Sequence, residues 1–455
     1  MKDNTFHLVS LGCAKNTVDS DSMAQLLLQD GYSASEDPAL ADILIVNTCG
    51  FIASSRDESI AMLNKLAEEK IEGQLLIAAG CLSQRFSEIV AKKVPAIDGM
   101  LGTRRWMDIV SVVKKLRKMR NNYRPEILYH LPENAKTVGT DEGDVLRANV
   151  FGSSAYLKIA DGCRRPCAFC SIPLIKGTAV SRPLEDIVEE AEILYESGIR
   201  ELILIAQDST DYGHDLGMKD GLTILLEGIV KAVPDMDWIR IMYAYPGYVT
   251  DRLIDVMAEN AQILPYLDIP LQHASPAMLK SMKRPSNMDW VQKTLTKMRK
   301  RINPSTSSGQ ALTIRTTFIV GYPGETEEEF QALLDFMEEI RFDRVGAFQF
   351  SFEAGTTSEV LGDPISKEVK EERWERLMEL QQNISLQINQ SYVGKTLDIL
   401  IEGYDEEQNI AIGRSYRDAP EIDGMVFIEG FAKVGDIVPA RITGAMAYDL
   451  TAVLV

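Results

Sequence analysis

Three cysteines within eight residues constrain this chain more than any other feature. Cys163, Cys167 and Cys170 form a C-x3-C-x2-C pattern, directly after an apolar run at residues 156–160 that predicts a β-strand. Thiolates are the usual ligands of iron–sulfur clusters, and a complete [4Fe–4S] site takes four ligands. Three thiolates leave one iron open, which is typical of catalytic rather than structural metal sites. The alternative is a zinc site of three cysteines and a histidine.

A second set of three cysteines lies in the first hundred residues. Cys13, Cys49 and Cys81 each follow a short apolar run, and helical patterns separate the runs. This order predicts a parallel sheet, in which the carboxyl ends of the strands share one edge. We therefore expect these three thiols to converge, and three unrelated buried cysteines are the alternative interpretation. The apolar runs span residues 6–10, 43–46 and 75–79.

The composition restricts the compartment and the class of partner. The net charge is −19, which favours a basic partner or a small substrate over bare nucleic acid. Six cysteines in two groups favour metal binding over disulfides. The chain contains no apolar run of membrane-spanning length, and its start lacks the apolar core of a signal peptide. We expect a cytoplasmic protein without a membrane segment.

Strand and helix patterns predict an α/β fold in several parts. Residues 1–120 read as a parallel α/β domain, and residues 121–149 read as a polar linker. Residues 150–388 contain six strand–helix units, too few for a closed eight-stranded barrel, so we predict an open partial (β/α)6 barrel. Residues 389–455 hold short β-rich runs that predict a small antiparallel β-barrel. A polar stretch at residues 303–310 reads as a surface loop without a function.

The first cysteine motif resembles the signature of radical S-adenosylmethionine (SAM) enzymes. The resemblance implies that the open iron chelates the amino and carboxylate groups of SAM, and that an electron from the cluster releases a 5′-deoxyadenosyl radical. It also implies further SAM-binding residues, for which ordinary strand-end packing or loop polarity is the alternative. These are Phe169 beside the adenine, Gln207 and Asp208 at the amino group, Gln272 at the ribose, and Ile319 and Gly321 at the adenine. We expect Arg182 to pair with a carboxylate of SAM or substrate, and a surface charge flanking a helix is the alternative.

Over nearly its full length the chain resembles the radical SAM methylthiotransferases. Residues 11–16, 47–50 and 80–81 match the amino-terminal domain of that family, and the final segment resembles a TRAM domain. The resemblance implies an auxiliary [4Fe–4S] cluster on Cys13, Cys49 and Cys81 that carries the sulfur, and therefore two [4Fe–4S] clusters and SAM as cofactors. Arg164 and Lys176 depart from the usual pattern at the first cluster loop, where Asn and Arg are frequent.

Two branches of this family modify different macromolecules. Residues 13–16, 265–275, 315–325 and 413–423 are similar to the RimO-like branch, which adds a methylthio group to the β-carbon of an aspartate in small-subunit ribosomal protein twelve. The alternatives are the MiaB-like branch, which modifies adenosine in transfer RNA, and a binding module with structural clusters. The resemblance further implies a monomer and an electron donor such as flavodoxin or ferredoxin, and it leaves the sulfur donor open.

The charge of the final segment separates the two branches. Residues 390–455 contain five basic and eleven acidic side chains. A domain that grips RNA phosphates needs the opposite sign, because phosphate neutralisation supplies most of that affinity. An acidic surface is complementary to a basic ribosomal protein. We therefore expect this segment to bind the basic protein, with a solvated acidic face as the alternative.

Overall fold

The structure, a computed structural model, describes residues 4–121, 126–132, 145–302 and 310–455. The polar loop predicted at residues 303–310 lies, except for Gln310, outside the described residues. Within the described ranges, no helix is long and apolar enough to cross a membrane.

The amino-terminal part is a six-stranded, fully parallel sheet in the order β2-β1-β3-β4-β5-β6. Its two central strands are buried at every position, which explains their uninterrupted apolar sequence. Helices α1 and α4 cover one face and helices α2 and α3 cover the other. The elements are β1 (Thr5–Ser10), α1 (Ala14–Gln29), β2 (Ser33–Ala34), β3 (Ile43–Thr48), α2 (Ala53–Glu69), β4 (Leu75–Gly80), α3 (Cys81–Lys93), β5 (Gly99–Gly102), α4 (Ile109–Asn121) and β6 (Leu128–His130).

The predicted linker at 121–149 is wrong where the structure describes it as strand. Leu128 pairs with Gly99, so β6 extends the amino-terminal sheet. The next strand, β7 (Ala148–Phe151), already belongs to the central sheet. Both strands are short and lie at sheet edges, so their half-polar sequences lack the apolar run of a central strand. The exact domain bounds remain a prediction.

The central part is a seven-stranded sheet in the order β15-β14-β13-β12-β11-β8-β7. Six of its strands are parallel and β7 is antiparallel at one edge, so the predicted six-unit open barrel is confirmed. The strands are β8 (Ser154–Lys158), β9 (Ala160–Asp161), β10 (Val180–Ser181), β11 (Glu201–Ile205), β12 (Trp238–Ile241), β13 (Ile263–Asp268), β14 (Thr313–Val320) and β15 (Arg344–Gln349), where β9 and β10 form a separate two-stranded sheet. The helices are α5 (Ile172–Lys176), α6 (Leu184–Glu196), α7 (Gly221–Ala232), α8 (Asp251–Glu259), α9 (Pro276–Ser281), α10 (Met288–Arg301), α11 (Glu327–Ile340) and α12 (Lys367–Gln390).

The carboxyl-terminal part is a closed five-stranded barrel in the order β16-β17-β18-β20-β19. The small barrel was predicted, but it is not purely antiparallel, because β18 and β20 pair in parallel. Closing five strands leaves one pair that runs in the same direction, since five is odd. The strands are β16 (Thr396–Asp405), β17 (Ile410–Ser415), β18 (Val426–Glu429), β19 (Ile437–Ala445) and β20 (Leu450–Leu454).

The small barrel covers the inner face of the central sheet. One face of that sheet packs on its helices, and the alternate residues, including Ile203 and Tyr266, share a core with the small barrel. Buried charges stabilise the contact between the central sheet and the small barrel. Glu201 accepts hydrogen bonds from Arg240 at 2.7 Å and from Arg414 at 2.6 Å. Breaking such a group of charges leaves an uncompensated charge inside the protein.

We expect Glu201→Gln to lower the free energy of unfolding by about 3–5 kcal/mol, because Arg240 stays buried without a carboxylate and Arg414 keeps only its ion pair with Glu402. The matched control is Glu227→Gln, which removes a half-exposed ion pair with Arg252 and changes stability by less than about 0.5 kcal/mol. Urea unfolding followed by tryptophan fluorescence measures both. Equal losses in the two variants would contradict this account.

The same carboxylate predicts an acid dependence. Burial alone would raise the pKa of Glu201, but Arg414 and Arg240 outweigh it and lower the pKa to about 2 from 4.5. A carboxyl with a lowered pKa in the folded state stabilises it fully above pH 4.5, and this stabilisation is lost as the pH falls from 4.5 toward 2. The stability advantage of the unmodified protein over Glu201→Gln therefore shrinks across that window.

Candidate active site

The loop that carries Cys163, Cys167 and Cys170 leaves β9 at the carboxyl edge of the central sheet. Its backbone is pinned from several directions. The N–H of Cys170 donates to the carbonyl of Cys167 at 3.2 Å, and the N–H of Ala168 donates to the carbonyl of Met282 at 2.9 Å. Three thiols on one short, fixed loop have the spacing and rigidity that a cluster of four irons requires.

Burial makes these thiols poor acids on their own. Burial, with a smaller contribution from the neighbouring cysteines, raises the pKa of Cys163 to about 11 and that of Cys170 to about 12. A bound metal reverses this, because a coordinating thiol is deprotonated outright. The donor set therefore fits a cationic metal cluster. In the described part of the chain, no three Cys, His, Asp or Glu side chains are gathered to hold a metal ion.

Two arginines and two tyrosines surround this loop, and the sequence analysis missed all four. Arg284 donates to the sulfur of Cys167 at 3.4 Å and lies 4.2 Å from the ring centre of Tyr245. Arg165 lies 3.6 Å from the ring centre of Tyr248, and its backbone N–H donates to the sulfur of Cys163 at 3.4 Å. Cations near the sulfurs stabilise thiolates. Only the position of Arg165 inside the motif was a signal available from the sequence.

Gln207 and Asp208 lie beside this loop, but they differ in what they offer to a ligand. Gln207 donates to Asp161 at 2.9 Å, and its buried side-chain oxygen has no hydrogen-bond partner among the described residues. An unpartnered buried acceptor suits an ammonium group such as that of SAM. Asp208 is held by Arg165 at 2.5 Å and accepts from Thr210. The contacts of Gln207 and Asp208 with SAM remain predictions.

Two of the three residues predicted at the adenine, Phe169 and Ile319, meet in one apolar cluster. Phe169 packs against a group that contains Ile319, Met282, Tyr322 and Phe350. The structure therefore brings Phe169 and Ile319 together, although they are far apart in sequence. Both lie near the carboxyl edge of the sheet, and the pair forms an apolar wall beside the cysteine loop.

The structure explains Gly321 by packing and Arg182 by an ion pair within the chain, and it shows a strained backbone at Gln272. Gly321 has a φ of +71°, and an added Cβ would lie 2.3 Å from Cγ of Lys370, so packing and backbone both demand glycine. Gln272 has a φ of +77°, which is strained for a residue with a side chain and typical of functional sites. The structure corrects the prediction for Arg182. Its guanidinium is buried and donates to Glu190 at 2.7 Å, so its carboxylate partner belongs to this chain.

The second cysteine set converges at the carboxyl edge of the amino-terminal sheet. Cys13 precedes α1, Cys49 lies before α2, and Cys81 is the first residue of α3. An added Cβ on Gly12, whose φ is +97°, would lie 3.1 Å from the sulfur of Cys49, so this turn needs glycine. Three helix amino ends point their positive dipoles at the set, which suits anionic thiolates.

Electrostatic coupling also places these three thiols together. Burial, with smaller contributions from Cys49 and Cys13, raises the pKa of Cys81 to about 12. Burial raises the pKa of Cys49, and Cys13 adds to this. As for the first set, the donors fit a cationic cluster, which removes the cost of holding thiolates in a buried place.

The two cysteine sets face each other across a close interface. The hydroxyl of Ser171, next to Cys170, donates to the carbonyl of Phe51, two residues after Cys49, at 3.3 Å. Arg56 on α2 and Arg85 on α3 both pair with buried Glu353 of the central part, at 2.7 and 2.9 Å. The structure thus brings the segments that carry the two cysteine sets to the two sides of one interface.

Comparison with known proteins defines the class. The Radical SAM superfamily model matches residues 157–337, the TRAM domain model matches residues 393–455, and a model described as Uncharacterized protein family UPF0004 matches residues 5–102. The chain is therefore a radical SAM enzyme with a carboxyl-terminal TRAM domain.

The particular family follows from full-length relatives. The chain is 45% identical to ribosomal protein uS12 methylthiotransferase RimO of Chloroflexus aurantiacus, over 98% of each chain. It is 44% identical to the RimO of Thermoanaerobacter sp. (strain X514), over 97% of this chain and 98% of that one. The chain belongs to the RimO family of methylthiotransferases, which confirms the predicted branch.

Solved structures share the fold at low sequence identity. The radical SAM methyltransferase TsrM from Kitasatospora setae, with cobalamin and a [4Fe–4S] cluster bound, superposes with a TM-score of 0.56 at 14% identity, over 79% of this chain and 74% of that chain. A second TsrM structure, with tryptophan and a SAM analogue, gives a TM-score of 0.53 at 15% identity, over 76% and 72%. The mixed α/β architecture is therefore one already known among radical SAM enzymes.

Replacing Cys163, Cys167 and Cys170 together with alanine should halve the iron content of the reconstituted protein and abolish the formation of 5′-deoxyadenosine. The reason is that these thiols are the only ligands that the central loop offers within the described residues. Iron assay and chromatography of the SAM products measure the two effects. Reductive SAM cleavage by the triple variant would contradict the assignment.

Proposed function

We propose that this protein methylthiolates the β-carbon of an aspartate in ribosomal protein uS12, using two [4Fe–4S] clusters and SAM. The observation that carries the proposal is the position of two sets of three cysteines on the two sides of one interface. The names of the relatives support uS12 as the substrate rather than transfer RNA. A binding module with structural clusters explains neither the pairing of the centres nor the barrel.

The two centres divide the chemistry. When bound, the cluster on Cys163, Cys167 and Cys170 supplies a SAM-derived radical that removes hydrogen from an unactivated carbon, and the second cluster supplies the methylated sulfur. The chain contributes position and shielding. Gln207 offers a buried acceptor to the amino group of SAM, and the wall of Phe169 and Ile319 receives the adenine.

The carboxyl-terminal barrel contributes the surface for the protein substrate. Two of its five basic side chains, Arg414 and Arg417, are buried against the rest of the chain and are therefore withheld from any RNA. The three remaining basic side chains are outnumbered by nine acidic side chains that are at least partly exposed. This acidic surface is complementary to a strongly basic ribosomal protein and would speed the encounter between the two proteins.

The remaining expectations complete the proposal. A small redox protein such as flavodoxin or ferredoxin delivers electrons, the enzyme acts as a monomer, and it works in the cytoplasm, where ribosomal proteins are made. The identity of the sulfur donor does not follow from the residues of this chain.

Replacing Cys13, Cys49 and Cys81 with alanine should abolish methylthio transfer while SAM cleavage remains measurable, because the ligands of the radical centre all lie in the central part. Mass spectrometry of uS12 and assay of 5′-deoxyadenosine measure the two reactions. Circular dichroism shows whether the variant is folded. A folded variant that yields the usual amount of methylthiolated uS12 would refute the role of the second centre.

The acidic surface gives a prediction for binding by the full-length protein. Its affinity for uS12 should fall as the salt concentration rises, and its affinity for transfer RNA should be weak throughout. The double variant Glu406→Gln, Glu407→Gln, in an exposed turn of the small barrel, should slow association with uS12 by roughly twofold or more. The control with the same charge change is Glu68→Gln, Glu69→Gln at the exposed end of α2.

Two results would count against this surface. Equal rates for the two double variants would show that the small barrel does not steer uS12. Tight binding of transfer RNA with no binding of uS12 would move the function to the tRNA-modifying branch.

A further inference from the structure

We propose that Lys15 binds the carboxylate of the target aspartate and thereby selects the modified residue. This inference rests on the proposed function, since it assumes that an aspartate side chain enters the space between the two cysteine sets. It assigns that side chain an anchor on the enzyme.

Lys15 differs from the other buried lysines of the described chain. Lys158 and Lys176 pair with Asp19 and Asp161 at 2.7 to 3.1 Å, and Lys370 pairs with Asp363. Lys15 is also buried, with 9% of its surface exposed, but among the described residues no carboxylate lies within ion-pair distance of its amine. A buried cation without an anion is costly, so a missing anionic partner is the simplest reason to keep one.

The surroundings of Lys15 increase this need. It lies in the first turn of α1, where the positive end of the helix dipole disfavours a cation. Its amine sits 3.2 Å from the ring centre of Tyr243, a favourable contact that leaves ammonium hydrogens available. The nearby carboxylate of Asp268 already accepts from Arg315 at 3.0 Å and from the backbone of Tyr243 at 3.3 Å.

The amine of Lys15 lies where a substrate would have to enter, close to both cysteine sets. Cys13, a member of the second cysteine set, lies two residues before Lys15. Tyr243 follows β12, and Asp268 ends β13, so the amine lies over the carboxyl edge of the central sheet, where the first cysteine set also stands. Tyr243 has a φ of +62°, and this strained backbone holds its ring under the amine. A target residue must occupy this space to meet both centres.

The chemistry of the amine identifies the class of ligand. An ammonium group in a buried place recognises a carboxylate and discriminates against the uncharged amide of the same shape. The ligand is therefore an aspartate side chain, and an asparagine at the same position should bind less well. The other anion that this amine could serve is the carboxylate of SAM, which the experiment separates.

The test is a cycle of binding measurements with the anaerobically reconstituted full-length enzyme. The enzymes are the unmodified protein, Lys15→Gln and Lys15→Arg, with Lys65→Gln on the exposed side of α2 as the matched control. The two ligands are uS12 and uS12 with the target aspartate replaced by asparagine. Iron content and visible absorption of each variant show that both centres are loaded.

We expect the asparagine to weaken binding to the unmodified enzyme by about tenfold or more, and to change binding to Lys15→Gln very little. Lys15→Arg should keep part of the discrimination, and Lys65→Gln should behave like the unmodified enzyme. The affinity for SAM should be the same in all four proteins. In turnover with uS12, the loss in Lys15→Gln should appear mainly as a higher KM.

Other outcomes overturn the inference. An equal penalty for asparagine in the unmodified enzyme and in Lys15→Gln shows that the amine and the target carboxylate do not interact. Lys15→Gln could instead lose affinity for SAM, or iron from its second centre, while it still discriminates between aspartate and asparagine. That result would show that the amine interacts with SAM or with the second centre and not with the target carboxylate. If the unmodified enzyme adds no methylthio mass to uS12, the proposed function fails together with this inference; methylthiolation without discrimination overturns the role of Lys15 alone.

Discussion

A buried group of charges joins the two halves of the site, and the relative position of the two cysteine sets depends on it. Asp19 on α1 pairs with Lys158 at 2.7 Å and Lys176 at 2.9 Å, and both lysines also pair with Asp161, two residues before Cys163. Burial would raise the pKa of Asp19, but Lys158, Lys176 and Arg147 outweigh it and hold this pKa well below its usual range. The carboxylates therefore stay ionised, and each lysine keeps its anion.

The physical value of this arrangement is specificity of position rather than stability. Exchanging a buried ion pair for apolar residues is often neutral or stabilising, whereas removing one partner costs about 3–5 kcal/mol. Charges of fixed geometry tolerate few alternative alignments, so they set how α1 meets the strand that precedes the first cysteine loop. The charge of Lys176 also lowers the pKa of Cys81, so this group of charges acts on the second cysteine set as well.

Much of this architecture could be predicted from the sequence because it depends on local patterns. Uninterrupted apolar runs identified the buried strands, and a cysteine directly after such a run had to lie at the carboxyl edge of its sheet. That rule placed all six cysteines. It failed for β6, whose sequence of three residues at a sheet edge contains no such run. It also could not foresee the parallel pairing of β18 with β20, which depends on closure of the barrel.

The partners of charged side chains could not be predicted, because the sequence around an arginine does not show whether it binds a ligand or a carboxylate of its own chain. Arg182 was expected at SAM or substrate and is held by Glu190. Arg284 lies 117 residues after Cys167 and yet donates to its sulfur. Such contacts follow from tertiary packing. In the same way, the unpaired amine of Lys15 stands out only once the ion pairs of the other buried lysines are known.

The carboxyl-terminal barrel shows how a sequence signal can have a different physical origin from the one first assigned. The stretch 413–423 carried part of the resemblance to the RimO-like branch, but much of it is buried against the central sheet, where Arg414 meets Glu201 and Asp418 meets Arg344. It closes the inner face of the barrel instead of presenting a surface. Under the proposed function, recognition of a protein substrate uses the remaining exposed charged side chains, most of which are acidic. Because the same small barrel both closes the catalytic sheet and carries that acidic surface, a substrate held there is held at a fixed distance from the site.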